Sequence, residues 1–366
     1  MRDAVERAHL SGDGHYTKLC ARRIEELTGG GDALLTTSCS HALDMTALLL
    51  DIGPDDEIIM PSFTFVSTAN AFVLRGARPV FVDVRPDTLN LDERLLEAAI
   101  TGRTRAIVVV HYAGVACDMD TIGRIASAHA IPVIEDNAHG LFGAYHGSPL
   151  GSFGVFATQS FHETKNIMCG EGGALVVNAP QYLERAVVIR EKGTNRSRFF
   201  RGLVDKYSWV EPGSSYLPSE LLTAFLAAQL ECAPATQQVR RHVWERYDAE
   251  LAPWAEHLGT VRPTVTPGCV QPYHLYYLLM PSLEDRDDLI AFLRQRDIGA
   301  VFHYVPLHVS EYGAHLGYRR GELPVSESSS ERLIRLPLFN DMSDAEQDYV
   351  IENVRAFRPR SSAVPA

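Results

Sequence analysis

The sequence predicts an α/β protein built on a mostly parallel sheet, with a smaller α+β domain at its C-terminal end. Three observations predict it. Between about residues 32 and 178, short apolar runs alternate with helix-patterned segments, the rhythm of strand–helix–strand units. The runs are nearly apolar throughout rather than at every second position, as in strands buried on both faces. At 366 residues the chain is also too long for one simple core, so a large and a small domain are expected.

Strands are expected at "DEIIMPS", "RPVFVDV", "TRAIVVVHY", "IPVIED", "GVFATQSF" and "GGALVV", each a short run bounded by polar or turn-forming residues. Between them "SHALDMTALLLDIG", "VSTANAFVLRGA", "LDERLLEAAIT" and "MDTIGRIASAHA" carry the apolar spacing of helices. Residues 181–250 look helical apart from the polar stretch "EKGTNRSRFFRGLVDKYSWVEPGSSYLPSE". A segment of that length without periodicity reads as a functional loop. After "RPTVTPG" a second strand–helix–strand series follows ("YHLYYLLM", "RDDLIAFLRQRDI", "AVFHYVPLH"), then a helix near 341–357 and the tail "RPRSSAVPA", expected to fray. The division is placed at 1–250 for the large domain and 251–366 for the small one. Functional residues in such folds gather at the carboxyl ends of the strands.

Composition narrows the function. With 46% apolar and 22% charged residues the chain is of ordinary globular make-up. A net charge of −12 argues against nucleic-acid binding, which needs a basic face, though a local cluster can still hold a small anion. The six cysteines form no CxxC pair, so a metal site has no support. Nothing at the N-terminus resembles a signal peptide, and no apolar run approaches the roughly 20 residues of a membrane helix. A soluble cytoplasmic protein with free thiols is expected.

Four segments carry candidate chemistry. In "TTSCSHALDMTALLL" small hydroxylated residues precede a helix; this is either a plain serine cap or a phosphate site at a helix N-terminus. "VIEDNAHG" ends a buried strand in Glu135 and Asp136, with His139 just beyond. Such an acid either caps the turn or holds a proton on a heterocyclic nitrogen. In "QSFHETKNIMCGEGGALVV" Ser160 ends a strand and Lys165 follows, ahead of Gly170, Gly172 and Gly173. That lysine is either solvated or an amine that bonds a carbonyl. Together with the aromatic of "PSFTF", the order supplies a phosphate cradle, a ring stack, a partner for a pyridine nitrogen and an amine for an aldehyde. Those are the parts needed to hold pyridoxal phosphate.

The chain resembles the DegT-type sugar-nucleotide aminotransferases of the fold-type I pyridoxal-phosphate class, almost end to end. "FHETKN…GEGGA" carries the family resemblance. "FVSTANAFVLRGA" and "KGTNRSRFFRG" are most similar to the dTDP-4-keto-6-deoxyglucose 4-transaminases (the WecE type). The resemblance implies that Lys165 is the Schiff-base lysine and Asp136 the partner of the pyridine nitrogen. It puts His139 near the ring hydroxyl, Phe65 on one ring face and Ala138 on the other. Ser160 and the backbone at Ser40 and His41 are implied to hold the phosphate. Where relatives read "GYNYR", with an Asn that reaches the neighbouring subunit's phosphate, this chain reads "GSSYL", so Ser215 takes that place.

The same resemblance implies the reaction. L-glutamate gives its amino group to the cofactor, and the pyridoxamine form passes it to C4 of a dTDP-4-keto-6-deoxyhexose. The product is a 4-amino-4,6-dideoxy sugar of galacto or gluco configuration. In the basic cluster Arg190, Lys192, Arg196, Arg198, Arg201 and Lys206, Arg196 or Arg201 is the first candidate for a pyrophosphate partner. His303, Tyr304 and His308 of "FHYVPLH" either line the sugar pocket or belong to the core. A homodimer with active sites at the subunit interface is expected. A pyridoxamine-dependent sugar dehydratase would carry histidine at the Lys165 position, and a non-catalytic cofactor-binding sensor would not need Lys165, Asp136 and Ser160 together. A dinucleotide-dependent reductase would need a GxGxxG turn that is absent.

Overall fold

A computed structural model of the chain describes residues 1–359; most of the tail expected to fray lies outside them. The centre is a seven-stranded sheet. Its strands are β1 (Asp32–Thr36), β2 (Glu57–Pro61), β3 (Arg78–Val82), β4 (Thr104–Val110), β5 (Val133–Asp136), β6 (Phe156–Ser160) and β7 (Gly173–Val177), in the spatial order β1–β7–β6–β5–β4–β2–β3. β7 runs antiparallel to both its neighbours; all other pairs are parallel. The sheet is therefore mostly parallel, the α/β architecture the sequence predicts. β1, whose "DALLT" opens the alternating region, completes it at one edge.

Burial on both faces explains the apolar runs. Along β4, Ala106 and Val108 pack into one core with the helix Cys39–Leu49, while Ile107 and Val109 pack into another with the helix Met119–Ala128. Side chains alternate across a strand, so a strand covered twice needs apolar residues at both parities.

A further, separate core lies towards the C-terminus. Here β8 (Tyr276–Leu279) and β9 (Leu333–Leu336) form an antiparallel pair covered by the helices Leu283–Arg294 and Asp344–Ala356. Residue 250 falls inside the 26-residue helix Ala233–Leu258. From Val243 onward that helix packs into this core, which takes in residues on both sides of position 250.

"AVFHYVPLH" does not form the expected strand. Val301 makes one bridge to Arg335, then the chain turns at Tyr304, whose φ of 45° is unfavourable for a bulky side chain. The segment is instead pinned by His308. Its Nδ1 meets Ser62 Oγ at 2.7 Å, its backbone N–H donates to the same oxygen at 3.0 Å, and its Nε2 meets Glu327 Oε1 at 2.9 Å. Ser62 follows β2 directly, so this fully buried histidine ties the small unit to the end of the sheet. We expect His308→Ala to destabilise the protein by about 2–3 kcal/mol, because it leaves buried polar partners unsatisfied; the shift of the denaturant midpoint measures it.

Candidate active site

The two acids that end β5 separate by strand parity. Glu135 is wholly buried and saturated: its carboxylate accepts from the N–H groups of Gly151, Phe153 and Gly154 and contacts His111 Nε2 at 3.0 Å. Asp136 faces the other way. It accepts from Thr68 Oγ1 at 2.7 Å and from Ala138 N–H at 3.3 Å, which leaves lone pairs free. No cation pairs with it among the described residues. Burial accordingly pushes its pKa up, against the opposing pull of Thr68, Ala138 and Lys165.

Lys165 comes from the neighbouring strand. β6 pairs with β5 in a register that sets Asp136 beside Thr158, and the loop after Ser160 returns on itself. Phe161 N–H reaches Gly172 O, Glu163 N–H reaches Gly170 O, and Lys165 N–H reaches His162 O. The Lys165 amine has no hydrogen bond or ion pair among the described residues. Burial depresses its pKa, although Cys39 and Asp136 lie near enough to oppose the shift. The structure thus brings Lys165 and Asp136 to adjacent strand ends, within electrostatic reach of each other.

The segment expected to hold a phosphate lies within electrostatic reach of both, through Cys39. Ser38 caps the helix Cys39–Leu49, its Oγ accepting from His41 N–H at 3.1 Å. The His41 N–H is therefore already committed, and the His41 ring contacts Thr37 Oγ1. Cys39 and Ser40 keep the unpaired N–H groups at the positive end of the helix dipole. Ser40 Oγ lies 2.6 Å from Ser67 Oγ, at the start of the helix Val66–Val73. Gly173 joins the parts. It pairs with Thr36 on one side and Ser160 on the other, and a Cβ there would come within 2.4 Å of Cys39 N and Ser38 C. Only glycine lets the helix start press against β7. The Ser160 hydroxyl has no partner among the described residues.

Aromatic groups close the site. Phe65, at the N-cap of Val66–Val73, is 56% exposed, and its ring centroid lies 6.3 Å from that of Tyr304. Ala138 lies in the turn after β5, its N–H on the Asp136 carboxylate. His139 Nδ1 accepts from Ala113 N–H, so the Nε2 proton faces the Tyr304 hydroxyl at 3.4 Å. Tyr304 stacks on His303 at 3.6 Å, and His303 Nδ1 meets the Tyr112 hydroxyl at 2.7 Å. Burial and the nearby cations keep these histidines neutral: His139 falls well below its ordinary range and His303 to about 2.

The remaining expected residues divide. His303 and Tyr304 reach the site; His308 does not, because both its ring nitrogens serve the latch described above. The basic cluster is largely neutralised within the chain. Arg190 is buried against Asp13 at 2.7 Å, Arg196 pairs with Glu191 at 2.9 Å, and Arg198 with Glu184 at 3.4 Å. Arg201 is exposed, and among the described residues its side chain contacts only the Ser197 carbonyl. Ser215 is exposed and next to Tyr216, whose ring lies 5.2 Å from that of His41. Sequence reasoning missed Thr68, Tyr112 and His274. His274 holds Asn166, the residue after the lysine, through a 2.8 Å contact of Nδ1 with Oδ1. It also missed Arg335. Neither periodicity nor motif singles out the first three, but an arginine inside the apolar "LIRL" of β9 is a visible irregularity.

These residues fit pyridoxal 5′-phosphate. An amine, a buried carboxylate and two helix N–H groups, none of them paired with an opposite charge or a hydrogen-bond acceptor among the described residues, converge with an exposed aromatic face on one end of the sheet. The comparisons agree. The model of the DegT/DnrJ/EryC1/StrS aminotransferase family matches residues 1–355. The spore coat polysaccharide biosynthesis protein SpsC of Bacillus subtilis is 34% identical over 364 residues, covering 97% of this chain and 92% of SpsC. Among solved structures, the aminotransferase TlmJ from Streptoalloteichus hindustanus superposes with a TM-score of 0.89 at 30% identity, covering 97% of this chain and 94% of TlmJ. Spr1654 from Streptococcus pneumoniae in its PMP form gives 0.90 at 28% identity, covering 97% of this chain and 95% of that one; it has also been solved in a PLP form.

Proposed function

The chain belongs to the DegT/DnrJ/EryC1/StrS aminotransferase family and depends on pyridoxal phosphate, and on that premise we propose that it carries an amino group from L-glutamate to C4 of a dTDP-4-keto-6-deoxyhexose. The observation that carries amino transfer is the free, partly desolvated Lys165 amine beside the buried Asp136 carboxylate. The end-to-end resemblance, with "FVSTANAFVLRGA" and "KGTNRSRFFRG", supports the sugar nucleotide.

When bound, the cofactor supplies an aldehyde for the amino group and a ring that spreads the electron pair left when a carbon proton departs. The rest falls to the chain. Asp136 holds a proton on the ring nitrogen, an opposite charge that its buried carboxylate lacks without the ring. Phe65 and Ala138 would flank the ring, and the N–H groups of Cys39 and Ser40 with the Ser160 hydroxyl would hold the phosphate. Lys165 Nζ would hold the cofactor between turnovers; once released, it would carry the proton between the substrate carbon and the cofactor's aldehyde carbon, which lie on either side of the transferred nitrogen. A depressed pKa suits that work, because the amine is then unprotonated nearer neutral pH. His303 and Tyr304 border the space where the sugar sits.

Incubating the protein with dTDP-4-keto-6-deoxyglucose and L-glutamate tests this reading, with NMR of the product at C4. A 4-amino-4,6-dideoxy sugar nucleotide is expected, and its galacto or gluco form identifies the face protonated. Unchanged keto sugar would reject the proposal.

A homodimer belongs to the same reading. The loop after Glu191 exposes Phe200, Leu203, Tyr207, Val210 and Trp209, the last 77% exposed. That concentration of aromatic and aliphatic surface suits burial against a second copy. Equilibrium sedimentation should give twice the chain mass; a fully active monomer would reject the dimer.

A further inference from the structure

The loop that carries Lys165 is held from outside at one residue. Within residues 161–172 the bonds are local: Phe161 N–H to Gly172 O, Glu163 N–H to Gly170 O, Lys165 N–H to His162 O and Cys169 N–H to Phe161 O. Among the described residues, every hydrogen bond from this loop to the rest of the chain falls on the buried Asn166. Its Nδ2 donates to Pro272 O at 2.7 Å, and its Oδ1 meets His274 Nδ1 at 2.8 Å. Its backbone carbonyl accepts from Asn340 Nδ2 at 3.2 Å. Pro272 and His274 lead into β8 and Asn340 follows β9, so all three partners belong to the unit built on that pair.

The donors and acceptors in this clamp have one consistent assignment. A carbonyl can only accept, so Pro272 O fixes the Asn166 amide, which turns Oδ1 to His274 and sets the ring proton on Nδ1. Burial, with Lys165 and Arg240 nearby, keeps His274 neutral. A guanidinium can only donate. Arg240, 2.8 Å from Asn340 Oδ1, therefore turns the Asn340 amide nitrogen towards Asn166. Arg240 also donates to Tyr273 O at 3.0 Å and to His274 O. It is buried, with no acid partner among the described residues. Tyr273, between the two gripping residues, has a φ of 54°, unfavourable for a bulky side chain. A strained turn braced by a buried cation persists only where its surroundings over-determine it, and a satisfied polar network rigidifies what it holds.

We propose that Asn166, gripped by His274 and Asn340, is the positioning residue for Lys165 and sets where the amine stands relative to the substrate carbon. The inference rests on the aminotransfer reading above and makes the unit of β8 and β9 the part that aims the amine. The Lys165 amine has no partner of its own among the described residues, so its place follows from its backbone, which the next residue fixes. A general base must come within hydrogen-bond reach of its proton, and a misplacement of about 1 Å costs on the order of 10²-fold. Loosening the clamp should slow proton transfer while leaving the donor's binding groups in place.

Three variants test it. His274→Ala removes one arm of the clamp, and Asn340→Ala removes another. His274→Asn keeps an amide that can donate from near the Nδ1 position. In the cofactor-free protein, amide hydrogen exchange of residues 161–172 should be at least about 10-fold faster in His274→Ala, while β4 keeps its wild-type protection. Protein loaded with pyridoxal phosphate is then mixed with L-glutamate and the bleaching of its visible band is followed. The maximal rate in His274→Ala should fall by about 10- to 100-fold, with the half-saturating glutamate concentration within about threefold of wild type. His274→Asn should recover most of both losses, and Asn340→Ala should shift both readouts in the direction of His274→Ala. Melting temperature and the visible band report folding and loading, and Asn340→Ala carries the test if His274→Ala does not fold. A folded, loaded clamp variant that bleaches at the wild-type maximal rate would overturn the proposal. So would a loss confined to half-saturation, exchange that rises equally in β4, or His274→Asn behaving as His274→Ala. If no amino acid bleaches the wild-type band, the aminotransfer reading fails and the role of the clamp with it; a wild-type band that bleaches beside unaltered variants fails this inference alone.

Discussion

Lys165→Ala is expected to lower amino transfer by at least about 10³-fold, the upper range for loss of a general acid–base group, and to remove the yellow colour of the cofactor bound to the lysine. The visible spectrum and the rate of 2-oxoglutarate formation measure the two effects. Both follow from one feature, an amine in the loop after β6 with no partner among the described residues. A structural lysine in that position would be ion-paired, and its removal would alter stability rather than colour. The sign of the stability effect gives a further check. Burial lowers the pKa of Lys165 in the folded chain, so the unfolded chain binds the proton more tightly. The cost of holding the ammonium is fully present below the lowered pKa and is relieved as pH rises from there towards the ordinary lysine range. Lys165→Met, which keeps the volume without the charge, should therefore melt above the wild-type cofactor-free protein at neutral pH, and the gap should close as pH rises. A lysine that stabilises the fold through a hidden ion pair would give the opposite sign.

Much of the large unit was legible because burial on both faces writes itself into the sequence as unbroken apolar runs. β2 to β7 appear where "EIIMP", "RPVFV", "IVVV", "VIED", "FATQS" and "GALVV" stand. "AVFHYVPLH" misled for the same reason. Its apolar residues belong to an irregular segment held by His308, and a bond between residues 246 positions apart in sequence leaves no local signature. The helix Ala233–Leu258 hid the boundary between the two cores, since its polar–apolar spacing does not change when its packing partner does. Within the site, residues fixed by motif were readable: Lys165, Asp136 and Ser160 converge on one strand edge. Those recruited from elsewhere were not. Thr68 reaches Asp136 from another helix, and His274 steadies Asn166 from beyond residue 270. The arginines of the polar loop attracted attention by their density, yet Glu191, Glu184 and Asp13 neutralise three of them. Arg335 stands alone in an apolar strand, and isolation is a weaker signal in sequence than clustering.

Asp136→Asn should leave the fold intact and reduce turnover by about 10²- to 10³-fold, the scale of breaking one buried charge pair at roughly 3–5 kcal/mol. Asparagine matches the volume; its one carbonyl oxygen can still accept from the Ala138 N–H, while the Thr68 hydroxyl, which meets the other oxygen, can accept from the amide NH2. What it cannot do is hold a positive charge on the ring nitrogen. Cofactor affinity should fall as well, because the anionic partner of the ring is gone. Without cofactor, the variant should be the more stable protein at neutral pH, and the sign can be worked out. Burial raises the pKa of Asp136 in the folded chain, so between the ordinary carboxylate range and that raised value the folded state holds more protons than the unfolded one. Stability is greatest below this window and is lost as pH rises through it. The advantage of Asp136→Asn should thus be small in acid and grow towards neutrality. Melting curves of the cofactor-free proteins across pH, set beside single-turnover rates of the loaded ones, separate the two roles. A carboxylate that merely caps the turn after β5 would show neither the rising advantage nor the lost turnover.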